Sequence, residues 1–307
     1  MELSLRRLRM LRELHRRGTV TGVAASLHYS PSAVSQQLAQ LEREVGASLF
    51  ERLGRRIRLT ELGVLLTEHA DEILGAVERA EMALERAQDG VVSRLKAGVW
   101  ASVASGLLPM ALTRLAQEHP GIEVRTTELA PEDTANAVLD GALDFSFVIE
   151  YSDYAIPWDP ALAREVIAVE RLHAAVAAGT CPESPVSLAA FAEQPWVLAG
   201  PTSHFGRAIR LACRRHGFEP RIVHQVEEQA TALAMVSGGL GVTLVSDLVL
   251  NTVPGGVEVI PLTEPVLRTV SIAHRSAHPT RRPLELVIDA VRAAAAARGL
   301  AAGSALP

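Results

Sequence analysis

The sequence predicts an α/β protein that carries an all-α-plus-wing domain at its N-terminus. Three observations lead to this fold class. Residues 1–60 show helical spacing followed by a hairpin pattern, residues 61–89 show one long helical repeat, and the chain from residue 95 alternates strands with helices. With 307 residues and 48% hydrophobic content, the chain is long enough to form more than one domain.

Charge is distributed unevenly along the chain. Residues 1–60 hold 11 Arg, no Lys and 5 Glu, a balance of +6, whereas the whole chain carries −5. A basic module on an acidic body is typical of a protein that brings one end to a polyanion, although solvated surface arginines give the same count. Because no signal-peptide core and no run of 18 apolar residues occurs, we expect a cytoplasmic protein without membrane contact.

Two short helices are predicted at the N-terminus. The first covers residues 3–17 and ends at Gly18 in a left-handed cap. Thr21 is the predicted N-cap of the second helix, which gives way to a tight connection at residues 28–29. The apolar positions that define the two helices are Leu5, Leu8, Leu11, Leu14, Val23, Ala24 and Leu27.

A third helix follows, with Ser30 as its N-cap and Pro31 at its first position. Its apolar face consists of Val34, Leu38, Leu41 and Val45, and its opposite face consists of Ser32, Ser35, Gln36, Ala39 and Arg43. Short polar side chains near a helix N-terminus suit a helix that enters the major groove of DNA. The second and third helices are therefore predicted to form a helix-turn-helix. The alternative is that the third helix is an ordinary amphipathic helix with a solvent-exposed polar side.

A basic hairpin is predicted immediately after this helix. Residues 49–60 alternate apolar and charged side chains on either side of Gly54. The hairpin carries four arginines, which suit DNA phosphates or the minor groove: Arg52, Arg55, Arg56 and Arg58. A solvated basic hairpin is the alternative.

One long helix is predicted from Thr60 to Asp89. Its apolar seam steps alternately by four and three residues through Leu66, Ala70, Ile73, Val77, Ala80, Leu84 and Ala87. A seam of this length favours packing against a partner chain, and packing on the helix's own domain is the alternative.

The remaining chain predicts two α/β lobes with parallel sheets around a hinged cleft. The expected organisation is a winged helix-turn-helix domain at 1–60, a linker helix at 61–89 and a hinge at 90–94. The first lobe then covers 95–163 plus 268–298, the second lobe covers 164–267, and a flexible tail covers 299–307.

The chain resembles the LysR-type transcriptional regulators over nearly its whole length. The most specific segment is residues 18–63, GTVTGVAASLHYSPSAVSQQLAQLEREVGASLFERLGRRIRLTELG. Weaker signatures are LLP at 107–109, HPGIEV at 119–124, LDGALDF at 139–145 and GGLGVTLV at 238–245. The resemblance implies a DNA-binding homodimer or dimer of dimers, a two-lobed effector domain similar to periplasmic binding proteins, and contact with the transcription machinery.

The resemblance also implies roles for individual residues. Ser32, Ser35 and Gln36 are expected to read bases, whereas Arg52, Arg55 and Arg56 are expected to hold the DNA backbone and the wing groove. Effector contacts are expected from small hydroxyl residues, although each of these also has a plain capping role: Ser102, Thr127, Thr202 and Ser203.

Trp100 departs from the family, which often has a small residue at this position, so its indole either stacks on a flat ligand or fills the pocket. The expected effector is a carboxylate-bearing metabolite, because helix N-termini form both walls of the cleft.

Other classes of function have weaker support. Thr202, Ser203 and His204 suggest nucleophilic catalysis, but no nucleophile elbow or third catalytic partner is evident. Cys181 and Cys213 show no metal-ligand spacing, so neither a metal nor a cofactor is expected. A solute-binding protein is the third class, and the basic helix-turn-helix argues against it. A regulator that has lost its ligand is the fourth.

Overall fold

The computed structural model describes residues 3–27, 29–53, 56–89, 93–180, 184–276 and 282–300. The side chains of residues 52, 53, 56, 78, 79 and 81–89 lie outside this description. The chain divides into an N-terminal unit, Met1–Gly90, and a C-terminal unit, Val91–Pro307.

Three helices form the base of the N-terminal unit. Helix α1 (Leu5–Arg17) ends at Gly18, whose φ of 65° is the predicted left-handed cap. Helix α2 (Val20–Ser26) is capped by Thr19, whose hydroxyl accepts a hydrogen bond from the N–H of Gly22 at 3.1 Å. The prediction of Thr21 as this cap was therefore wrong, because the extended backbone that a cap requires occurs two residues earlier.

Helix α3 (Pro31–Val45) begins as predicted. The Ser30 hydroxyl accepts a hydrogen bond from the N–H of Ala33 at 3.2 Å, and Pro31 occupies the first turn. Val34, Leu38 and Leu41 are buried in the core of the unit, which confirms the apolar face. A hairpin of β1 (Phe50–Leu53) and β2 (Arg56–Leu59) follows, with Phe50 opposite Leu59.

Helix α4 (Glu61–Asp89) has the predicted length, and its first half packs on its own unit. Ala70 and Leu74 are buried against Leu8 of α1. The first half of α4 therefore packs on its own domain, which was the alternative to packing against a partner chain. The seam positions Leu84 and Ala87 lie outside the described side chains, so the seam between chains stays a prediction there.

The first half of the C-terminal unit consists of three strands and three helices. The strands are β3 (Ser93–Val99), β4 (Ile122–Glu128) and β5 (Phe145–Tyr151). The helices are α5 (Ala101–Gly106), α6 (Leu108–Glu118) and α7 (Pro131–Leu139). Helices α5 and α6 are separated at Leu107, next to Pro109 in the first turn of α6, which cannot donate a backbone hydrogen bond.

The second half begins within one long strand, β6 (Leu162–Ala177). The remaining strands are β7 (Pro195–Leu198), β8 (Arg221–Gln225), β9 (Thr243–Ser246), β10 (Val257–Pro261) and β11 (Leu267–Arg275). The helices are α8 (His204–Arg215), α9 (Gln229–Ser237) and α10 (Arg282–Ala297), and two short 3₁₀ helices cover Leu188–Phe191 and Asp247–Thr252.

The main sheet has the order β10-β6-β11-β5-β3-β4, and β9 also pairs with β6. Parallel pairing joins β3 to β4, β3 to β5 and β7 to β8. The prediction of parallel sheets holds for these pairs only, because β11 runs antiparallel to both β5 and β6, and β6 runs antiparallel to β9 and β10. The sheet is therefore mixed.

Three predicted boundaries shift in the structure. Strand β3 begins at Ser93, inside the predicted hinge of 90–94. Strand β6 is continuous across the predicted lobe boundary at residue 164, because it pairs with strands of both halves. Leu300 is buried in the core, so the ordered chain continues past residue 299, where the tail was expected to start. No helix in the described ranges is long and apolar enough to cross a membrane.

Gly63 sets how closely α4 approaches the backbone of Leu49, the residue before β1. A Cβ atom on Gly63 would lie 2.0 Å from the carbonyl oxygen of Leu49. We expect Gly63→Ala to destabilise the N-terminal unit by about 3 kcal/mol, because a backbone atom must move to relieve the overlap. Hydrogen–deuterium exchange of residues 5–60 measures this loss. Gly255→Ala is the control, since its Cβ would meet nothing within 4 Å, and equal protection in both variants would contradict the expectation.

Candidate nucleic-acid interface and small-molecule cavity

The outward face of α3 is short and polar in the structure, as the sequence predicted. Ser32, Gln36, Ala39 and Arg43 are exposed, and Ser35 is half-buried. The hydroxyls of Ser32 and Ser30 lie 3.0 Å apart at the start of the helix. The structure therefore brings Ser32, Ser35 and Gln36 together on one face, at the N-terminal end of α3.

Charged and amide groups tie the other sides of α3 to its neighbours. Arg7 of α1 forms an ion pair with Glu44 at 2.8 Å, and Gln40 donates a hydrogen bond to the same carboxylate at 2.9 Å. Glu42 accepts a hydrogen bond from the N–H of Leu49 at 2.8 Å, which fixes α3 against the hairpin. Since these contacts hold α3 from within, its outward face is left for a partner.

A buried carboxylate fixes the angle between α1 and α2. Glu13 is only 2% exposed. It accepts hydrogen bonds from Arg17 at 2.8 Å and from the hydroxyl of Ser26 in α2 at 3.0 Å. Removing a buried charge from its partners is costly, so this pairing holds the two helices in one arrangement.

The hairpin arginines are described only in part. Arg52 lies opposite Ile57, and Arg56 lies opposite Leu53. Arg55 and the side chains of Arg52 and Arg56 lie outside the described residues, so their DNA contacts stay predictions.

Two side chains near α3 were missed by the sequence reasoning. The guanidinium of Arg6 lies 4.7 Å from the ring centroid of Tyr29, and both residues are exposed. Tyr29 directly precedes the Ser30 cap of α3, so this cation–π pair adds basic surface beside the start of that helix. In the sequence, the aromatic residue directly before the N-cap of α3 was the signal from which this pair could have been predicted.

The C-terminal unit contains a cavity of about 430 Å³. Residues from both halves of the unit form its walls, at the ends of β3 and β5 and at the starts of α5, α7, α8 and α9. Its lining residues are Trp100, Ala101, Ser102, Ser105, Ala130, Pro131, Glu132, Ile149, Tyr151, Thr202, Ser203, Phe205, Glu227, Glu228, Gln229, Ala230, Val249, Thr252 and Arg268. Its volume suits a small molecule.

A buried ion pair lies at the wall of this cavity. Arg268 of β11 and Glu170 of β6 are 2% and 0% exposed, and Arg268 Nε lies 2.7 Å from Glu170 Oε2. Arg268 also donates to the hydroxyls of Ser246 at 2.8 Å and Ser102 at 3.2 Å. The second oxygen of Glu170 accepts the N–H of Leu248 at 2.8 Å. The partners of this buried pair therefore come from several segments at once.

Four of the five predicted effector residues line the cavity: Trp100, Ser102, Thr202 and Ser203. The hydroxyl of Ser102 accepts a hydrogen bond from Trp100 Nε1 at 3.0 Å, in addition to the one from Arg268. Ser203 caps α8 by accepting from the N–H of Gly206, so the capping alternative describes its hydroxyl here. Thr202 is exposed at the cavity wall.

Thr127 does not line the cavity. It lies on β4 opposite Gly98, and its side chain is exposed. The segment that joins β4 to α7 contributes Ala130, Pro131 and Glu132 to the cavity lining. The expectation that Thr127 faces the cleft is therefore corrected.

Trp100 belongs both to the cavity wall and to the core. It is 6% exposed, and its ring meets Phe147 edge to face at a centroid distance of 6.3 Å. Its indole N–H is bonded to Ser102, so the ring is fixed. Most of the indole therefore fills space in the protein, and one part of it remains at the cavity surface.

Several cavity residues were missed by the sequence reasoning, namely Tyr151, Arg268, Glu132, Glu227 and Glu228. A single arginine within the apolar strand VLRTVSIAH and a single glutamate at the end of VIAVE were signals of a buried pair. Glu132 accepts a hydrogen bond from the N–H of His204, which joins the first turn of α7 to the start of α8. This contact links the two halves across the cavity mouth.

The carboxyl of Glu228 has an unfavourable environment for its charge. Partial burial raises its pKa above the ordinary value of 4.5, and nearby Glu128 and Glu227 raise it further. A carboxyl whose pKa is higher in the folded than in the unfolded state stabilises the fold by binding its proton more tightly. This stabilisation is complete below the ordinary pKa and is lost as the pH rises through the folded-state pKa. Burial also raises the pKa of Tyr151, so its hydroxyl stays protonated.

The geometry gives no support to nucleophilic catalysis at Ser203. Its hydroxyl is engaged by Gly206, and the described contacts join it to no His204 ring atom. Burial lowers the pKa of His204, and its buried Nδ1 has no hydrogen-bond partner among the described residues. Within those residues, no group of three or more His, Cys, Asp or Glu side chains could hold a metal ion.

Two family models match the chain. The model described as "LysR substrate binding domain" matches residues 88–296. The model described as "Bacterial regulatory helix-turn-helix protein, lysR family" matches residues 5–64.

Relatives of known name and solved structures agree with these matches. The HTH-type transcriptional regulator IlvR of Caulobacter vibrioides is 28% identical over 82% of this chain and 88% of its own length. The transcriptional dual regulator GltC of Bacillus subtilis is 28% identical over 88% of this chain and 90% of its own length. The crystal structure of full-length BenM superposes with a TM-score of 0.59 at 25% identity, covering 98% of this chain and 100% of BenM. CbnR in complex with its target DNA gives a TM-score of 0.55 at 24% identity, covering 95% and 100%.

We expect Arg268→Met to destabilise the C-terminal unit by about 3–5 kcal/mol, because it leaves Glu170 as a buried, unpaired charge. The double variant Arg268→Met/Glu170→Gln removes that charge and keeps an acceptor for Leu248, so it should regain part of the loss. Urea unfolding followed by tryptophan fluorescence reports on this unit alone, since all 3 Trp lie in it. An unchanged urea midpoint in the single variant would show that the pair contributes little.

Proposed function

The chain belongs to the LysR family and is a DNA-binding transcriptional regulator with a helix-turn-helix and an effector-binding domain, and from this premise we propose which of its surfaces carry each task. The proposal rests on one observation above all, that α3 is held on its inner side by part-buried contacts while its short polar face is exposed. A face of this kind can approach base edges closely.

In this proposal, Ser32, Ser35 and Gln36 read bases in the major groove. Gln36 is exposed, and its amide can donate to and accept from an adenine in the bidentate manner. Arg52, Arg55 and Arg56 hold the DNA backbone and the adjoining groove, and the excess of arginine in residues 1–60 supplies the electrostatic attraction. The related CbnR was crystallised with its target DNA, which supports a DNA complex of the same kind.

We propose that the protein works as a homodimer or a dimer of dimers joined through the helix at residues 61–89. Leu62, Val64 and Leu65 at the start of α4 are exposed apolar side chains, which a partner chain can cover. Paired DNA-binding heads would bind paired half-sites.

The cavity of the C-terminal unit is the proposed effector site, and a carboxylate-bearing metabolite is the proposed class of effector. Residues at the starts of α7, α8 and α9 line it, where helix N-termini favour negative charge. An effector that changes DNA binding must have different affinities for the two arrangements of the protein. We propose that closure around the effector alters the spacing of the heads and the response of the transcription machinery, that the protein acts in the cytoplasm, and that its role is regulatory and not catalytic.

We expect Gln36→Ala to weaken binding to the specific DNA site by about 10- to 100-fold while leaving non-specific affinity unchanged, because one bidentate base contact is lost. Gel shifts with the intergenic DNA beside the gene, and with an unrelated duplex, measure the two affinities. Gln40→Ala is the control on the same helix, since Gln40 faces Glu44. Equal losses on both DNAs would show that Gln36 does not read sequence.

The variant Arg55→Ala/Arg56→Ala should weaken binding to all DNA and make its salt dependence shallower. Each lost phosphate contact lowers the slope of log affinity against log salt by about 0.9. Footprinting over two half-sites at several salt concentrations gives this slope. A double variant with a wild-type slope would place these arginines away from phosphate.

A further inference from the structure

We infer that Arg6 of α1, held against the ring of Tyr29, binds a DNA phosphate beside the base-reading face of α3. The base-reading face is the surface formed by Ser32, Ser35 and Gln36. This inference rests on the proposed binding of α3 in the major groove. It adds a contact with the DNA backbone that comes from α1, outside the helix-turn-helix and the hairpin.

The turn between α2 and α3 places Tyr29 next to the base-reading face. The N–H of Tyr29 donates a hydrogen bond to the carbonyl of buried Ala24 at 2.9 Å, which ties the turn to α2. Tyr29 directly precedes Ser30, whose hydroxyl lies 3.0 Å from that of Ser32. The guanidinium of Arg6 lies 4.7 Å from the centroid of the Tyr29 ring. Arg6 is therefore held at the edge of the face that is proposed to enter the groove.

Arg6 and its neighbour Arg7 differ in how the protein uses their charges. Arg7 forms an ion pair with Glu44 at 2.8 Å and donates to Gln37 at 3.4 Å, so its guanidinium joins α1 to α3. Arg6 is exposed and has no hydrogen-bond or ion-pair partner in the part of the chain that the structure describes. Its contact with the ring of Tyr29 leaves its five N–H donors available, because a ring face attracts the cation as a whole. Folding therefore leaves this guanidinium able to bind an anion.

The charge of Arg6 lies at the end of α1 where a cation is unfavourable for the helix. Arg6 is in the first turn of α1, and that turn contains no acidic residue. The N-terminal end of a helix carries partial positive charge, so it favours anions and disfavours cations. An exposed arginine that helix formation disfavours indicates a role outside folding. A phosphate next to Arg6 removes the disadvantage, because it is attracted by the guanidinium and by the helix end.

Phosphates border the major groove on both sides, so groups beside a helix in the groove meet the DNA backbone. Arginine suits this contact, since its planar fork can bond two phosphate oxygens at once. The ring of Tyr29 holds the guanidinium in place before DNA arrives, which lowers the conformational entropy lost on binding. Arg6 is thus the phosphate-binding residue and Tyr29 is its positioning residue. Neither contact distinguishes one base from another.

The test measures affinity for the intergenic DNA and for an unrelated duplex by gel shift at several salt concentrations. We expect Arg6→Gln to weaken binding to both duplexes about 5- to 10-fold, and to make the slope of log affinity against log salt shallower by about 0.9 for each lost phosphate contact. Arg282→Gln, which removes an exposed arginine of α10, is the control with the same charge change. A wild-type salt slope in Arg6→Gln would overturn the inference, and so would a loss confined to the intergenic DNA.

Variants of Tyr29 separate positioning of Arg6 from other roles of the ring. We expect Tyr29→Ala to weaken binding about two- to fivefold, the size of an exposed cation–π contact, and Tyr29→Phe, which keeps the ring, to bind as the wild type does. In the background of Arg6→Gln, Tyr29→Ala should cause no further loss. Equal losses with and without Arg6 would overturn the positioning role, because the ring would then act on the turn or on DNA directly. An equal loss in Tyr29→Phe would assign the effect to the hydroxyl and overturn it as well.

Thermal unfolding shows that the variants are folded. Both side chains are exposed, so we expect each Tm to stay within about 1–2 °C of the wild-type value.

The two duplexes separate this inference from the proposed function. A preference for the intergenic DNA that Arg6→Gln keeps at lower affinity and with a shallower salt slope supports both. The same preference with an unchanged slope retains the regulator and rejects Arg6 as a phosphate-binding residue. Equal wild-type affinity for both duplexes would count against base reading by α3, whereas the salt slopes of wild type and Arg6→Gln would still test the phosphate contact.

Discussion

The buried ion pair of Arg268 and Glu170 is the constraint around which the C-terminal unit is organised. Neither charge can lose its partner without a large desolvation penalty, so β6 and β11 must stay in register where they meet. The same guanidinium holds Ser102 at the start of α5 and Ser246 at the end of β9. One side chain thereby positions segments from both halves of the unit at the wall of a single cavity.

The N-terminal unit uses buried charge in a similar way, with a different result. Glu13, Glu42 and Glu44 satisfy groups on neighbouring elements and leave no role in folding for the outward face of α3. A recognition surface of short, solvated side chains contributes little to stability, so its support must come from elsewhere in the domain. The buried carboxylate of Glu13 and the half-buried carboxylates of Glu42 and Glu44 provide that support while the outward face remains exposed.

The cavity shows the opposite balance, because its polar groups are incompletely satisfied. The buried hydroxyl of Tyr151 lacks a hydrogen-bond partner among the described residues and Glu228 is exposed to solvent, although the surrounding walls are fixed by Trp100, Phe147 and the ion pair. Binding sites commonly sacrifice stability in this way, since the groups that await a ligand cannot also satisfy one another. Rigid walls and unsatisfied polar atoms together give a ligand a reason to bind and a fixed geometry to recognise.

The sequence by itself determined the features that depend on local chemistry. Ser30 and Pro31 start α3, Gly18 ends α1, and the apolar spacing of α3 identifies its exposed face, because caps and helical periodicity act within a few residues. The motifs of residues 18–63 likewise sufficed for the family. Only the tertiary structure decided the antiparallel pairing of β6 and β11, the absence of Thr127 from the cavity, and the meeting of Arg268 with a glutamate 98 residues away. These features depend on contacts between distant segments, where desolvation of a charge selects one partner among many that local sequence leaves equivalent.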